Sequence, residues 1–238
     1  MRLDNEIVYR GLIESRSKAK YEIENGNVLV NNKTITKPSY DVIDSDSIEI
    51  IKEKELKYVS KGGLKLERAL FEFNIDPNGL VCLDIGSSTG GFTDCLIQSG
   101  AKLVYSIDTG TNQLHEKLRK DKRVVSLENT NFLNLDMSNF EKINLVVIDV
   151  SFISVTTILD RLINEFKDVK VISLIKPQFE IGRTFIKNGV IKDPKVHKQV
   201  LDKIELYLKS KNVKYSRIID SPILGGSGNK EFLISFDL

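Results

Sequence analysis

From residue 81 onward, short apolar runs recur at the length of strands: Val81 to Ile85, Leu103 to Asp108, Val124 to Leu127, Leu145 to Asp149 and Val171 to Ile175. Most of the gaps between them hold helix-length segments, among them Phe92 to Ser99, Asn112 to Arg119, Val155 to Phe166 and Val196 to Lys209. A strand that is apolar at nearly every position has both faces covered, and strands joined through helices run parallel. The spacing therefore predicts a doubly wound α/β sheet, with one more strand over Glu231 to Phe236. At 41% hydrophobic and 29% charged residues, the 238-residue chain can build such a core, which excludes a wholly disordered protein.

Residues 1 to 51 read differently, as a small α/β module. Leu3, Ile7, Leu12 and Ile13 have helical spacing interrupted at Gly11. Ser15 or Ser17 can cap a second helix running through Lys20 and Ile23 to a stop at Asn25-Gly26. Val28 to Val30 and Lys33 to Ile35 flank Asn31-Asn32, a hairpin turn, and Ser47 to Ile51 closes the module. The charged stretch from Ile51 to Lys57 reads as a linker, so the chain divides into one small and one medium domain.

Two cysteines, Cys82 and Cys95, and two histidines, His115 and His197, cannot make a zinc cage, so no metal is expected. A disulfide-stapled secreted scaffold is equally disfavoured, and neither a signal peptide nor a membrane-length apolar run is present. A reducing cytosol is the expected compartment.

Three constellations carry chemistry. Asp84-Ile-Gly86-Ser-Ser88-Thr-Gly90-Gly91-Phe92 follows the first strand of the sheet, and Asp108 ends the next one, about 20 residues on, where a carboxylate can hold ribose hydroxyls. Glycines let a backbone approach a ligand closely. The run is GxxxGG rather than the dinucleotide GxGxxG, which suits S-adenosylmethionine, a cofactor with no pyrophosphate to cradle. Asn129 and Asn131 follow the third strand, at the same end of the sheet. An ordinary tight turn is the bland alternative.

The second constellation is two lysines and two carboxylates at element ends: Lys65, Asp149, Lys176 and Glu231. Ligands of open α/β sheets bind beyond the carboxyl ends of strands. A lysine closing a buried strand and followed by proline, as Lys176 is, is unusual, because lysine is rarely buried unpaired. Neighbouring carboxylates would keep it cationic, whereas desolvation and a second lysine would push it toward use as a base. A structural ion pair would explain any one of these residues but explains the four together less well.

The third is local basic charge. Residues 1 to 37 hold 7 basic residues (Arg2, Arg10, Arg16, Lys18, Lys20, Lys33 and Lys37) against 5 acidic ones. Residues 54 to 68, including Lys61, hold 5 against 2. Such runs are usually solvated faces. If the small module binds RNA, Arg16, Lys18 and Lys20 would meet phosphate and read shape rather than sequence. The overall charge of +2 does not oppose this, because acidic residues between 41 and 55 offset the basic start.

The span from Arg2 to Ser39 resembles an S4-type RNA-binding domain, and the remainder resembles the FtsJ-like class I methyltransferases. Together, through SKGGLKLERAL, LDIGSSTGGFTD, IDTGTNQL, VIDVSFIS, LIKPQFEIGR and GNKEFL, the chain is similar to the TlyA (hemolysin A) family. The resemblance implies an S4 domain over residues 1–52, a linker over 53–60 and a methyltransferase domain over 61–238. It also implies ribose 2′-O-methylation of cytidine in ribosomal RNA with S-adenosylmethionine. Lys65, Asp149, Lys176 and Glu231 match the FtsJ-like Lys-Asp-Lys-Glu tetrad, in which Lys176 would help deprotonate the 2′-hydroxyl. Likeness to shorter family members implies the large subunit as target. The rivals are a non-catalytic RNA-binding or ribosome-assembly factor, and a haemolysin, for which no convincing membrane element is found.

Overall fold

The computed structural model describes residues 1–24, 26–51, 57–186, 189–225 and 228–238. Two compact units divide the chain, Met1–Leu56 and Lys57–Leu238. The expected helix terminator Asn25 and the linker residues 52–56 lie outside the described residues.

In the smaller unit, helices α1 (Leu3–Tyr9) and α2 (Arg16–Glu24) accompany strands β1 (Val28–Val30), β2 (Lys33–Thr34) and β3 (Ile48–Ile50), ordered β2-β1-β3 and antiparallel. Of the two candidate serines, Ser15 caps α2, its Oγ accepting from the Lys18 amide at 3.3 Å. Asn31 and Asn32, at φ +51° and +62°, form the tight hairpin turn that two left-handed residues allow. The Asn31 side chain also accepts from the Ser47 amide at 3.0 Å, tying the turn to the start of β3. Leu3, Ile7, Ala19, Ile23, Val28, Val30, Val42 and Ile48 make the core, while Leu12 lies outside α1 and is exposed.

In the larger unit, α3 (Gly62–Phe73) precedes a seven-stranded sheet. Its elements are β4 (Val81–Ile85), α4 (Gly91–Gln98), β5 (Leu103–Ile107), α5 (Glu116–Arg119), β6 (Val124–Leu127), β7 (Leu145–Ile148), α6 (Val155–Glu165), β8 (Lys170–Ile175), α7 (Pro177–Glu180), α8 (Pro194–Ser210), β9 (Tyr215–Asp220) and β10 (Phe232–Asp237). The strand order is β6-β5-β4-β7-β8-β10-β9. Alternate residues of the central strands enter two separate cores. Leu83, Ile85, Val146 and Ile148 pack with Ile158, Leu162 and Ile204 of α6 and α8, while Cys82, Leu145 and Val147 pack with Leu66, Leu70 and Leu96 of α3 and α4. Such burial contributes about 2 kcal/mol for each large aliphatic side chain.

Three features depart from the pattern read in the sequence. β10 runs antiparallel to both its neighbours, so the sheet is parallel except for one reversed strand. β9, unmarked by any apolar run, pairs with β10 alone as an edge strand. The helix expected from Asn112 to Arg119 is reduced to the single turn of α5. Glu128 accepts from the amides of Gln113 (2.7 Å) and Leu114 (2.9 Å) and holds that segment outside a helix, with Asn112 at φ +57°.

Candidate active site

The sheet reverses direction of winding at β4: α4 leaves to one face and α6, after neighbouring β7, to the other. A crevice opens beyond the carboxyl ends of such strands. Here it is a cleft of about 550 Å³ whose lining includes Gly86, Ser88, Asp108, Asn131, Asp149 and Phe152. Apolar walls come from Ile107, Phe132, Leu133 and Ile158. Gly86 sits at φ +86°, and a Cβ there would lie 2.6 Å from the Asp149 carbonyl oxygen, so only glycine lets the β4 turn close against the end of β7. Asp108 joins two lips of the cleft, its Oδ2 accepting from the Ser88 amide at 2.8 Å and its Oδ1 from the Gly110 amide at 2.7 Å.

The other residues singled out around the glycine turn stand behind this surface. Asp84 is wholly buried, with Oδ2 accepting from Thr93 Oγ1 at 2.6 Å and Oδ1 unpartnered. Burial, only partly countered by Thr93, pushes its carboxyl up to about 7. Gly90 and Gly91 form the start of α4, and Phe92 packs into the core with Leu66 and Leu96. Asn129, at φ +51°, donates its amide to the Gly110 carbonyl at 2.8 Å and so holds the far lip through its backbone.

The four element-end residues form two ion pairs. Lys176 Nζ meets Asp149 Oδ1 at 2.5 Å and donates to Ser151 Oγ at 2.8 Å. The Asp149 contact is an ion pair without hydrogen-bond alignment. Lys65, on the buried side of α3, donates to Glu231 Oε2 at 2.5 Å, and both side chains are at most one-tenth exposed. The β8–β10 register pairs Phe232 with Ile175, which brings the preceding Glu231 level with the following Lys176. The pairs thus share one end of the sheet, on the side to which Asp149 contributes the cleft wall.

Phe152 and Glu128 escaped the sequence reading. In VSFIS a phenylalanine reads as core, yet Phe152 is 91% exposed at φ +67°, its ring 5.1 Å from that of Phe179 on α7. An apolar side chain held exposed in the left-handed region is strained, and such strain concentrates at functional sites. Glu128 carried one usable signal, a carboxylate at the end of a strand.

In the smaller unit the basic residues meet buried acids. Asp4 accepts from Arg2 (3.0 and 3.1 Å) and from Arg16 (3.0 Å), and the Arg2 hydrogen bonds hold its carboxyl below the usual range. Arg10 bridges Glu6 at 2.7 Å and the carbonyl of Asp46 at 2.7 Å, so its fork braces the fold. Arg2 and Arg16 remain substantially exposed, Lys18 and Lys20 pair with the exposed Glu14 and Glu24, and Lys33 is exposed on β2. Lys61, in the larger unit, precedes α3. Among the described residues no helix is long and apolar enough to cross a membrane.

Comparison with known proteins agrees with this anatomy. The FtsJ-like methyltransferase family matches residues 58–238, and the S4 domain matches residues 1–48. YqxC of Bacillus subtilis, provisionally named an rRNA methyltransferase, is 46% identical over 98% of this chain and 84% of its own. The 16S/23S rRNA (cytidine-2′-O)-methyltransferase TlyA of Mycobacterium tuberculosis is 37% identical over 98% of this chain and 88% of its own. A solved structure from Streptococcus thermophilus, provisionally described as a hemolysin, superposes with a TM-score of 0.76 at 41% identity, covering 99% of this chain and 87% of that one. With a seven-stranded sheet of this order, paired lysines and carboxylates at its end and an S4 domain in front, the chain belongs to the TlyA (hemolysin A) family of FtsJ-like methyltransferases.

Proposed function

We propose that the protein methylates the ribose 2′-hydroxyl of a cytidine in ribosomal RNA, using S-adenosylmethionine. The observation that carries this reading is the meeting of Lys176–Asp149 and Lys65–Glu231 at one end of the sheet, beside the cleft. The cleft suits the cofactor in size, since small-molecule sites commonly measure about 300–1,000 Å³. It suits it in chemistry too: Ile107, Phe132 and Leu133 offer apolar wall, and Asp108 offers acceptors to ribose hydroxyls. Gly86, Ser88 and Asn131 line it, while Asp84, Gly90, Gly91, Phe92 and Asn129 shape the turn and lip behind. When bound, S-adenosylmethionine supplies an activated methyl group.

The chain's own residues then orient the acceptor. Lys176 Nζ orients the 2′-hydroxyl and helps to deprotonate it, while Asp149 fixes the amine in place. Lys65 and Glu231 position the ribose. Alignment of this kind supplies much of the rate acceleration in a transfer with a good leaving group. Phe152, braced by Phe179, offers a stacking face to an unstacked base. Arg2, Arg16, Lys18, Lys20 and Lys33 of the S4 unit, together with Lys61, contact phosphate; Arg10 supports them from within the fold. The reading places the protein with ribosomes in the cytosol.

The test is methyl transfer from labelled S-adenosylmethionine to isolated ribosomal subunits, with the modified nucleotide mapped. Lys176→Ala is expected to abolish transfer and to keep cofactor binding. Near-normal turnover in that variant removes Lys176 from the mechanism, and methylation at a base atom instead of the ribose overturns the reaction assigned.

A further inference from the structure

Lys176 precedes α7, a helix of only 4 residues. A single turn gains too little from its own hydrogen bonds to hold itself, so its position is set by what it touches. Contacts of Lys176 and α7 meet successive parts of the β7–α6 loop. Lys176 reaches Asp149 and Ser151; Phe179 packs on Phe152; Glu180 reaches Ser154 and Val155. The first two of these contacts lie at the site itself. The third lies behind it, with the Glu180 side chain only 2% exposed.

Glu180 makes the polar contacts at that end. Its Oε2 accepts from Ser154 Oγ at 2.5 Å and its Oε1 from the Val155 amide at 2.7 Å. Val155 is the first residue of the 11-residue α6, where an amide lacks an intrahelical acceptor and a carboxylate is favoured by the helix dipole. Ser154, itself the α6 cap, accepts from the Thr156 amide at 3.4 Å. From the other side, Lys203 of α8 donates to the Glu180 carbonyl at 2.9 Å and stands 4.0 Å from its carboxylate. Glu180 therefore joins α6 through its carboxylate and α8 chiefly through its carbonyl, just behind the loop that bears Asp149 and Phe152.

We propose that Glu180 is a positioning residue that sets the register of Lys176 and Phe179 against Asp149, Ser151 and Phe152. It touches neither substrate nor cofactor. Its effect on turnover rests on the methyl-transfer reading above; its effect on the placement of Lys176 does not. Without its carboxylate, α7 keeps the contacts of Lys176 and Phe179 and the Lys203 bond to the Glu180 carbonyl but loses its tie to the α6 N-terminus, and the Lys176 amine departs from the geometry in which Asp149 and Ser151 hold it. Displacement of a reacting group by about 1 Å is enough to cost about 100-fold in rate.

Two readouts on the full chain test this. Steady-state methylation of ribosomal subunits by Glu180→Ala is expected to show kcat lowered about 100-fold, with S-adenosylmethionine affinity within about twofold of wild type. Glu180→Gln, which retains an acceptor for Val155, is expected to recover most of that loss, and Ser154→Ala to fall between. Amine labelling of Lys176, followed by mass spectrometry, is expected to rise in Glu180→Ala because Asp149 and Ser151 no longer hold the Nζ. Should Glu180→Ala fail to fold, Glu180→Gln and Ser154→Ala carry both readouts, graded in that order. In the variants that fold, turnover and Lys176 labelling both within about threefold of wild type overturn the proposal, as does a loss of turnover that only follows loss of cofactor binding. If the wild-type chain methylates no ribosomal RNA while labelling still rises in the variant, the function assigned above fails and the positioning role stands.

Discussion

The Lys65–Glu231 pair allows its structural and its chemical roles to be separated. Lys65 Nζ lies 2.5 Å from Glu231 Oε2, with side-chain exposures of 10% and 3%. Replacing Lys65 by methionine keeps the length of the stem on α3 but strands the Glu231 carboxylate in a site from which water is excluded. Removing one partner of a buried pair typically costs about 3–5 kcal/mol, while replacing both by neutral groups is often nearly neutral. In a unit of this size each kcal/mol moves the melting midpoint by about 2–4 °C, so Lys65→Met is expected to melt roughly 10 °C below wild type. The double variant Lys65→Met/Glu231→Gln should return most of that loss. Methyl transfer, in contrast, should be absent from both if the pair positions the ribose as proposed, because the glutamine and methionine restore volume and neutrality without restoring the charges. The assays are thermal unfolding followed by circular dichroism, and turnover on ribosomal subunits. A double variant with wild-type turnover would show the pair to be a structural ion pair only. A single variant as stable as wild type would show that the pair is not closed in the free protein.

Two further expectations follow from buried or anchored carboxylates. Burial holds the Asp84 proton up to about 7, against the ordinary 3.8 in the unfolded chain. Between those values the folded form carries the additional proton, so this group makes stability fall as pH rises from about 4 to 7, by at most about 4 kcal/mol, and adds no slope above 7. Asp84→Asn should remove that part of the slope in urea unfolding measured across the range; an unchanged slope would mean that Asp84 is ionised throughout. Glu128 anchors the lip of the cleft through the Gln113 and Leu114 amides, and those hydrogen bonds keep its carboxyl below the usual range. Glu128→Ala should weaken S-adenosylmethionine binding about tenfold in calorimetry, the scale of a lost hydrogen bond to a charged group, while leaving the core intact. Unaltered affinity would place the Gln113 segment outside the binding site.

How far the site could be read in the sequence follows from which physical signals are local. The strands ending at Ile85, Ile148 and Ile175 are apolar at nearly every position because two cores need them, and that pattern needs no partner to be visible. Lys176 stood out for the same reason: a charge directly after a doubly buried strand, before a proline, conflicts with its surroundings unless it is used. Strand direction has no such local mark. The residues of β10 are as apolar as those of β8, and only the pairing of Phe232 with Ile175 shows that it runs backward and brings Glu231 level with Lys176. Backbone conformation is hidden too, so GSSTGG announced a turn without saying that Gly86 and Ser88 face the cleft while Gly90 and Gly91 turn away into α4. Phe152 was missed because exposure of an aromatic depends on a positive φ that its neighbours impose. Residues that do chemistry violate a local rule and so can be found by inspection. Residues that hold them in place, such as Glu180 under the α6 N-terminus, satisfy every rule once folded, and only their contacts give them away.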